Sequence, residues 1–369
     1  MRIGVPREIK SGESRAALTP GAAHALIEDG HAVVVEAGLG ARGGFPDAAY
    51  EGAGCRIADA AAAWACDVVV KVKEPLPEEW AHFRPDMVLF GYLHLAPNPA
   101  LTEALLRARV AAIGLETVER ADGTLPLLAP MSEIAGRMSV QVGAFFLQSP
   151  HGGRGILPGG VPGVPPAHVA VLGAGTVGRG AARIAAGLGA RVTVLDTNPD
   201  RLREVEDIFV GRVETRASHP YAVAEVVAHA DLVIGAVLVP GARAPRVVTE
   251  AMVAAMPRGA VIVDVAVDQG GCVETCDHAT SHADPTYVRH GVVHYAVANM
   301  PGAVPRTATE ALAHATLPYL RRIAARGWRA AAAADPALAR GINTAAGAVL
   351  CAPVALAQGL SCQALANLP

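Results

Sequence analysis

The sequence predicts a two-domain α/β protein in which each domain is an open, mainly parallel sheet with flanking helices, one domain being inserted into the other. Three observations carry this expectation. Short apolar segments alternate with helix-like segments over the first 116 residues. A second α/β pattern begins near residue 169 with a glycine-rich turn. After Pro305 the pattern becomes helical to the end, giving a segment that can return to the first domain. The expected boundaries are residues 1–128 with 306–369 for the first domain and 129–305 for the inserted one. A length of 369 residues suits about two domains.

In chain order, strands are expected over 2–6, 31–36, 67–73, 86–95 and 111–116. A polar loop with Arg15 follows the first strand. Helices are expected over 20–29, stopped by Gly30, and over 99–108. The strands at 67–73 and 86–95 become polar at their carboxyl ends. Residues 132–149 read as a long helix joining the domains, and 151–166 as a loop rich in Gly and Pro. The inserted domain has strands at 169–172 and 191–195, a weaker one at 211–215, then 231–238, 260–266 and 292–298. No internal repeat is evident.

Composition excludes several classes. Hydrophobic residues make up 52% of the chain and the net charge is −3. No basic tail or charge block points to nucleic acid or an anionic membrane. Met1 to Glu8 is charged and lacks the apolar core of a signal peptide. The longest uncharged run, near 345–357, is too short to span a bilayer. A cytoplasmic location is therefore expected. The six cysteines are scattered and fit reduced, mostly buried thiols. Cys272, Cys276, His278 and His282 form a loose C-x3-C-x-H-x3-H pattern that matches no standard zinc spacing, so no metal is expected.

The turn Gly173-Ala174-Gly175-Thr176-Val177-Gly178 is a G-x-G-x-x-G between a strand and a helix-like run. Gly173 permits the tight turn, Gly175 lets backbone approach a pyrophosphate, and Gly178 lets helix pack on strand. Asp196 ends the next strand, 18 positions beyond Gly178. A dinucleotide fingerprint needs an acid roughly 20 residues on to accept from a ribose 2′-hydroxyl. The pattern is that of a Rossmann nucleotide domain, and the acid favours NAD over NADP.

Lysine usage marks a second site. The chain has three lysines, Lys10, Lys71 and Lys73, and uses arginine for all its other basic side chains except histidine. Lys and Arg differ in shape, hydration and ease of pKa shift, so at least one of the adjacent pair is expected to serve through its ammonium group. In open α/β sheets ligands bind beyond the carboxyl ends of strands. That rule favours Lys73, with Lys71, on the same strand face, left structural. It also selects His94, which could otherwise be a core histidine between leucines. A neutral-range pKa would let it move protons. Arg15 is either a solvated loop residue or a fork for a substrate carboxylate. Asp268 lies at a strand end, whereas Asp264, mid-strand, is expected to bond backbone or neighbouring groups. Ser132 with Glu133 could simply cap the joining helix.

These pieces together resemble the alanine dehydrogenase family, which also includes the NAD-binding subunit of transhydrogenase. The resemblance rests on Gly4-Val5-Pro6-Arg7-Glu8, Val70-Lys71-Val72-Lys73-Glu74-Pro75 and Leu128-Ala129-Pro130-Met131-Ser132-Glu133. It also rests on Gly159-Gly160-Val161-Pro162-Gly163-Val164, on 235–241 and on Asp268-Gln269-Gly270-Gly271. It implies oxidative deamination of L-alanine to pyruvate and ammonia with NAD, and the reverse amination. It implies that Arg15 and Lys73 bind substrate, and that His94 and Asp268 form an acid/base pair. The implied cofactor contacts are Ser132, Gly173, Gly175, Thr176, Val177, Gly178, Asp196, Arg201, Val237, Leu238, Val267, Asp268, Asn299 and Met300. It further implies a homohexamer. A glycine/glyoxylate or serine dehydrogenase, a transhydrogenase-type subunit and a catalytically silent NAD-binding protein are the alternatives.

Overall fold

The computed structural model describes residues 1–237, 244–267 and 270–368. The chain forms two compact units. One comprises Met1–Met131 and the segment from Val304 onward; the other is Ser132–Ala303.

The first unit opens with β1 (Arg2–Val5), α1 (Pro20–Glu28), β2 (Ala32–Glu36), α2 (Asp47–Gly52), β3 (Arg56–Ala58), α3 (Ala60–Trp64) and β4 (Val68–Val70). It continues with β5 (Val88–Gly91), α4 (Pro99–Arg107) and β6 (Ala111–Gly114). Local chemistry sets the helix starts. Thr19 accepts from the Ala22 N–H ahead of Pro20, and Asn98 accepts from the Leu101 N–H ahead of Pro99. Strands β1, β4, β5 and β6 are apolar on both faces because the sheet is covered on both sides.

The second unit takes up α5 (Ala129–Phe146), which begins in the first. It then holds β7 (His168–Leu172), α6 (Thr176–Gly187), β8 (Arg191–Asp196), α7 (Pro199–Phe209), β9 (Glu214–Ala217), α8 (Pro220–Ala228) and β10 (Leu232–Gly235). Next come α9 (Glu250–Ala254), β11 (Val261–Asp264), β12 (Thr286–Arg289) and β13 (Val292–Tyr295). Its strand order is β12-β13-β11-β10-β7-β8-β9. With the antiparallel edge strand β12 set aside, the order is 3-2-1-4-5-6, that of a dinucleotide-binding domain. The weak strand expected at 211–215 is displaced: Gly211 turns at φ +74°, and pairing with β8 starts at Glu214.

The chain then returns to the first unit through α10 (Pro305–Arg326), α11 (Trp328–Ala334) and α12 (Pro336–Gly341). It does not remain helical to its end. Strands β14 (Ile342–Ala345) and β15 (Ala348–Val349) precede α13 (Ala352–Gln358). They form a hairpin whose two turn residues, Ala346 and Gly347, both have positive φ, +53° and +86°. Such turns favour Asn or Asp at the first position; the alanine there hid the hairpin. β14 runs antiparallel beside β6. The completed sheet has the order β15-β14-β6-β5-β4-β1-β2-β3. The 3-2-1-4-5-6 pattern thus occurs in both units without a sequence repeat.

Two further expectations need correction. β4 stops at Val70, so Lys71 and Lys73 do not lie on a strand face. The Lys71 N–H still reaches Phe90 O at 3.0 Å, but the Val72 N–H turns to the Glu8 carboxylate at 2.6 Å instead of continuing the ladder. β5 stops at Gly91, and His94 lies in a left-handed turn at φ +45°. No helix among the described residues is long and apolar enough to cross a membrane.

Candidate active site

In the first unit the strand order reverses between β1 and β4. Segments leaving the carboxyl ends of adjacent strands at such a point open a crevice. The segment after β1 carries Glu8, Lys10, Glu13 and Arg15; that after β4 carries Lys71, Lys73 and Glu74; that after β5 carries Tyr92 and His94.

Arg15 is only 3% exposed. Glu13 holds its fork from two sides, with Nε donating to Oε1 at 2.7 Å and Nη2 to Oε2 at 2.5 Å. The Ser14 and Arg15 peptide N–H groups donate to the same carboxylate. Burial disfavours the guanidinium charge, but the Glu13 hydrogen bonds more than offset it and hold the pKa above its ordinary value. The remaining edge, Nη1, lies 3.1 Å from the Met131 sulfur. Arg15 is therefore a built, pre-oriented cation rather than a solvated loop residue.

His94 is exposed, and its backbone is fixed by Glu116. The His94 N–H donates to Glu116 Oε1 at 2.7 Å, and the Leu93 N–H reaches both carboxylate oxygens at 3.2 Å. These bonds offset the cost of a left-handed non-glycine residue. The next carbonyl, Leu95 O, accepts from Gln358 Nε2 of α13 at 2.6 Å. The imidazole stacks on Tyr92, with ring centroids 6.2 Å apart. Burial pushes the Tyr92 phenol up, so it stays neutral and donates to Leu127 O at 2.6 Å.

Lys71 is 1% exposed. Its Nζ lies 2.8 Å from Glu79 Oε1 and 3.2 Å from Glu8 Oε2, and 5.8 Å from the Trp64 ring centre. Burial acts against its charge, but the two carboxylates raise its pKa above the ordinary lysine value. It is a structural cation. Lys73, two residues on, is half-buried.

In the second unit the glycine turn has the geometry its sequence requires. Gly173 has φ +105°, and a Cβ there would sit 2.5 Å from Ala236 O. A Cβ at Gly178 would sit 1.7 Å from Gly173 O, so helix and turn touch backbone to backbone. Gly175 has open space where its Cβ would be, and as N-cap of α6 it gives no side-chain hydrogen bond. The first N–H groups of α6 thus face an open cradle, the arrangement that takes a pyrophosphate. Thr176 and Val177 form the first turn of α6. The Gly178→Ala variant is expected to lose about 1–3 kcal/mol through backbone overpacking, read as a lower melting temperature with weaker NADH binding.

Asp196 ends β8 and is 8% exposed. Its Oδ2 accepts from the Ala174 N–H at 2.6 Å and its Oδ1 from the Asn198 N–H at 2.8 Å. Arg201 Nη1 lies 3.9 Å away. The carboxylate therefore braces the glycine turn, and a carboxylate with two such bonds retains acceptor capacity. Val237 follows β10, Val267 follows β11, and Asn299 and Met300 follow β13, all beyond carboxyl ends of parallel strands. Ser132 lies inside α5, which starts at Ala129, so it is not an N-cap. α5 packs on α6: a Cβ at Gly136 would sit 2.1 Å from Val177 O. Ser132, four residues before Gly136, shares that face. Leu238 and Asp268 lie outside the described residues.

Asp264 bonds backbone, accepting from the Ala266, Cys272 and Val273 N–H groups. Cys272 and Cys276 are buried beside it, and burial pushes both thiols up. His278 is exposed and stacks on Tyr287, and His282 is also exposed. Among the described residues no group of three or more His, Cys, Asp or Glu could hold a metal ion.

Sequence reasoning missed Glu8, Glu13, Glu79 and Glu116, the carboxylates that hold the cationic and histidine elements. The usable signal was a glutamate two positions from Arg15 and seven before it; Glu116 carried none.

Two family models cover the chain. The one described as alanine dehydrogenase/PNT, N-terminal domain, matches residues 4–135, and the corresponding C-terminal domain matches 139–352. The alanine dehydrogenase of Geobacillus stearothermophilus is 54% identical over 362 residues, covering 98% of this chain and 97% of its own length. Alanine dehydrogenase 2 of Staphylococcus aureus (strain USA300) is 55% identical over 350 residues, covering 95% and 94%. A solved L-alanine dehydrogenase superposes with a TM-score of 0.94 at 52% identity, covering 97% of this chain and 99% of that one. A transhydrogenase from Sinorhizobium meliloti superposes at 0.82 with 28% identity, covering 95% and 99%.

Proposed function

Because the chain belongs to the alanine dehydrogenase/PNT family of oxidoreductases, we propose that it interconverts L-alanine and pyruvate plus ammonia with NAD as cofactor. The observation that carries this reading is the set of chemically equipped segments following β1, β4 and β5, with Arg15, Lys73 and His94. They suit a small oxo-acid or amino acid. The relatives at 54% and 55% identity are named alanine dehydrogenases, whereas the transhydrogenase stands at 28%. A silent binder would not need Arg15 and His94 to be so heavily braced.

In this mechanism Arg15 binds the substrate carboxylate, and Lys73 contacts carboxylate and carbonyl oxygen. The bound nicotinamide supplies the hydride acceptor. Alanine, with its amino group protonated, gives up hydride from Cα and one proton from nitrogen to solvent, leaving an iminium. His94 takes a proton from water as the hydroxyl adds to that carbon. His94 then returns that proton to nitrogen, Asp268 takes the proton of the added hydroxyl, and ammonia leaves as the carbonyl forms. Lys73 polarises the carbonyl for the reverse amination. In the second unit the α6 N–H groups hold pyrophosphate, and Ser132, Arg201, Val237, Leu238, Val267, Asn299 and Met300 complete the cofactor site. Asp196 accepts from the ribose hydroxyls and repels a 2′-phosphate.

The proposal extends to cytoplasmic location and homohexamer formation. Exposed Phe145, Leu157, Val161, Val164 and Leu188 of the second unit support burial against further copies. Light scattering tests it, a monomer speaking against the assembly.

Substrate and cofactor choice are tested by oxidising L-alanine, glycine and L-serine with NAD or NADP. L-alanine with NAD is expected to have the highest kcat/KM, by about 10-fold or more over either competitor, the scale set by one methyl or hydroxyl group. Glycine or serine equalling alanine would overturn the substrate assignment. Equal use of NADP would overturn the role of Asp196.

A further inference from the structure

All three lysines of the chain meet at the β1/β4 reversal, although arginine supplies 28 of the 31 Lys and Arg side chains. Only Lys73 is spoken for by the proposed chemistry. Lys71 and Lys10 belong to connections between the segment leaving β1 and the segment leaving β4. Buried Glu8, from the first, accepts the Val72 N–H at 2.6 Å and pairs with Lys71 at 3.2 Å. Lys10, also from the first, pairs with Glu74, and that charge contact holds the half-buried Glu74 carboxyl below its ordinary value despite burial. Residues 72 and 74 flank Lys73. Glu79 closes the far side, joining Lys71 Nζ at 2.8 Å to the Leu76 N–H at 2.8 Å.

We infer that Glu8 and the Lys10–Glu74 ion pair form a clamp across the β1/β4 reversal that positions Lys73 against Arg15 for the oxo-acid substrate. The inference rests on the proposed substrate role of Lys73. A lysine side chain has four rotatable bonds and no planar fork, so it contributes little orientation itself. Its placement must come from the backbone beneath it. Here the residue before Lys73 is tied through its backbone N–H to a buried carboxylate, and the residue after it through its side chain, in an ion pair with Lys10. Both ties lead to the segment that carries Arg15. Glu8, Lys10 and Glu74 are thus positioning residues acting through Lys73.

The clamp lies wholly in the first unit, whereas the glycine turn lies in the second. Loosening it should move the oxo-acid constants and leave nucleotide binding alone. The test compares Glu8→Gln, Lys10→Ala, Lys10→Arg and Lys73→Ala in pyruvate amination, with KM for pyruvate, kcat, NADH affinity and melting temperature read separately. Glu8→Gln keeps an acceptor for the Val72 N–H but removes the charge facing Lys71. It is expected to lower kcat/KM for pyruvate by about 10- to 100-fold, the cost of a misplacement on the ångström scale. Lys10→Ala is expected to lower it less, with unchanged melting temperature and NADH affinity, and Lys10→Arg to restore it. Should Glu8→Gln not fold, the Lys10 pair of variants decides. Wild-type pyruvate constants in Lys10→Ala, or an equal loss of NADH affinity, would overturn the clamp. Lys73→Ala separates the two levels. If it is inactive while the clamp variants are normal, only the clamp fails; if it is active, the role of Lys73 fails.

Discussion

Replacing Lys73 or His94 by alanine is expected to remove nearly all turnover while NADH still binds. Lys73→Ala deletes the one cation proposed to polarise the substrate carbonyl, a loss of about 10²- to 10³-fold for a single preorganised electrostatic partner. His94→Ala deletes the proposed proton carrier, at about 10²- to 10⁴-fold. Neither change should disturb the fold. Lys73 and His94 follow strand ends, and the turn around His94 is held through backbone N–H groups by Glu116, which the substitution leaves in place. Steady-state kinetics combined with NADH fluorescence titration checks both. Near-normal turnover in either variant would remove that residue from the mechanism, and lost NADH binding would point to a wider structural defect.

Replacing Lys71 by methionine is expected to act on stability first. The substitution conserves length and apolar packing beside Trp64 but leaves Glu8 and Glu79 buried without their cation. Removing one partner from a buried charge cluster costs about 3–5 kcal/mol, because the remaining charges are stranded. The cost depends on pH in a defined direction. Burial already raises the Glu8 pKa above 4.5, and the Lys71 charge is the largest opposing influence. In Lys71→Met the folded-state pKa of Glu8 rises further. A carboxyl with a raised folded pKa binds more protons folded than unfolded, so stability falls as pH rises from about 4.5 through the folded value. The variant should therefore recover stability on acidification towards pH 5, relative to the parent. Thermal melts of both proteins from pH 5 to 8 check this. A destabilisation that did not change with pH would mean that Lys71 matters through packing alone.

The glycine turn of the second unit was legible because its constraints are local. A turn that needs φ +105° at Gly173, and a helix that touches that turn's backbone at Gly178, leave glycines at fixed spacing. The candidate site of the first unit was legible at Lys73 and His94 through the scarcity of lysine and the strand-end rule. Its carboxylates were not. Glu8, Glu13, Glu79 and Glu116 look like ordinary surface acids in sequence, and only the tertiary fold brings Glu8 to Val72 and Glu116 to His94. Strand ends were overestimated for a related reason. The ladder after Val70 and Gly91 gives way to side-chain carboxylates, which take the backbone N–H groups that apolar pattern assigned to a strand. The C-terminal hairpin was lost because β14 pairs with β6, far away in sequence, and its turn uses alanine where Asn or Asp is favoured.

The central claim is the reaction class, and NADH oxidation with pyruvate, with and without ammonium, tests it most directly. Oxidation that requires ammonium and yields alanine is the predicted result. Oxidation by pyruvate alone, yielding a 2-hydroxy acid, would contradict the account, as would bound NADH that neither mixture oxidises.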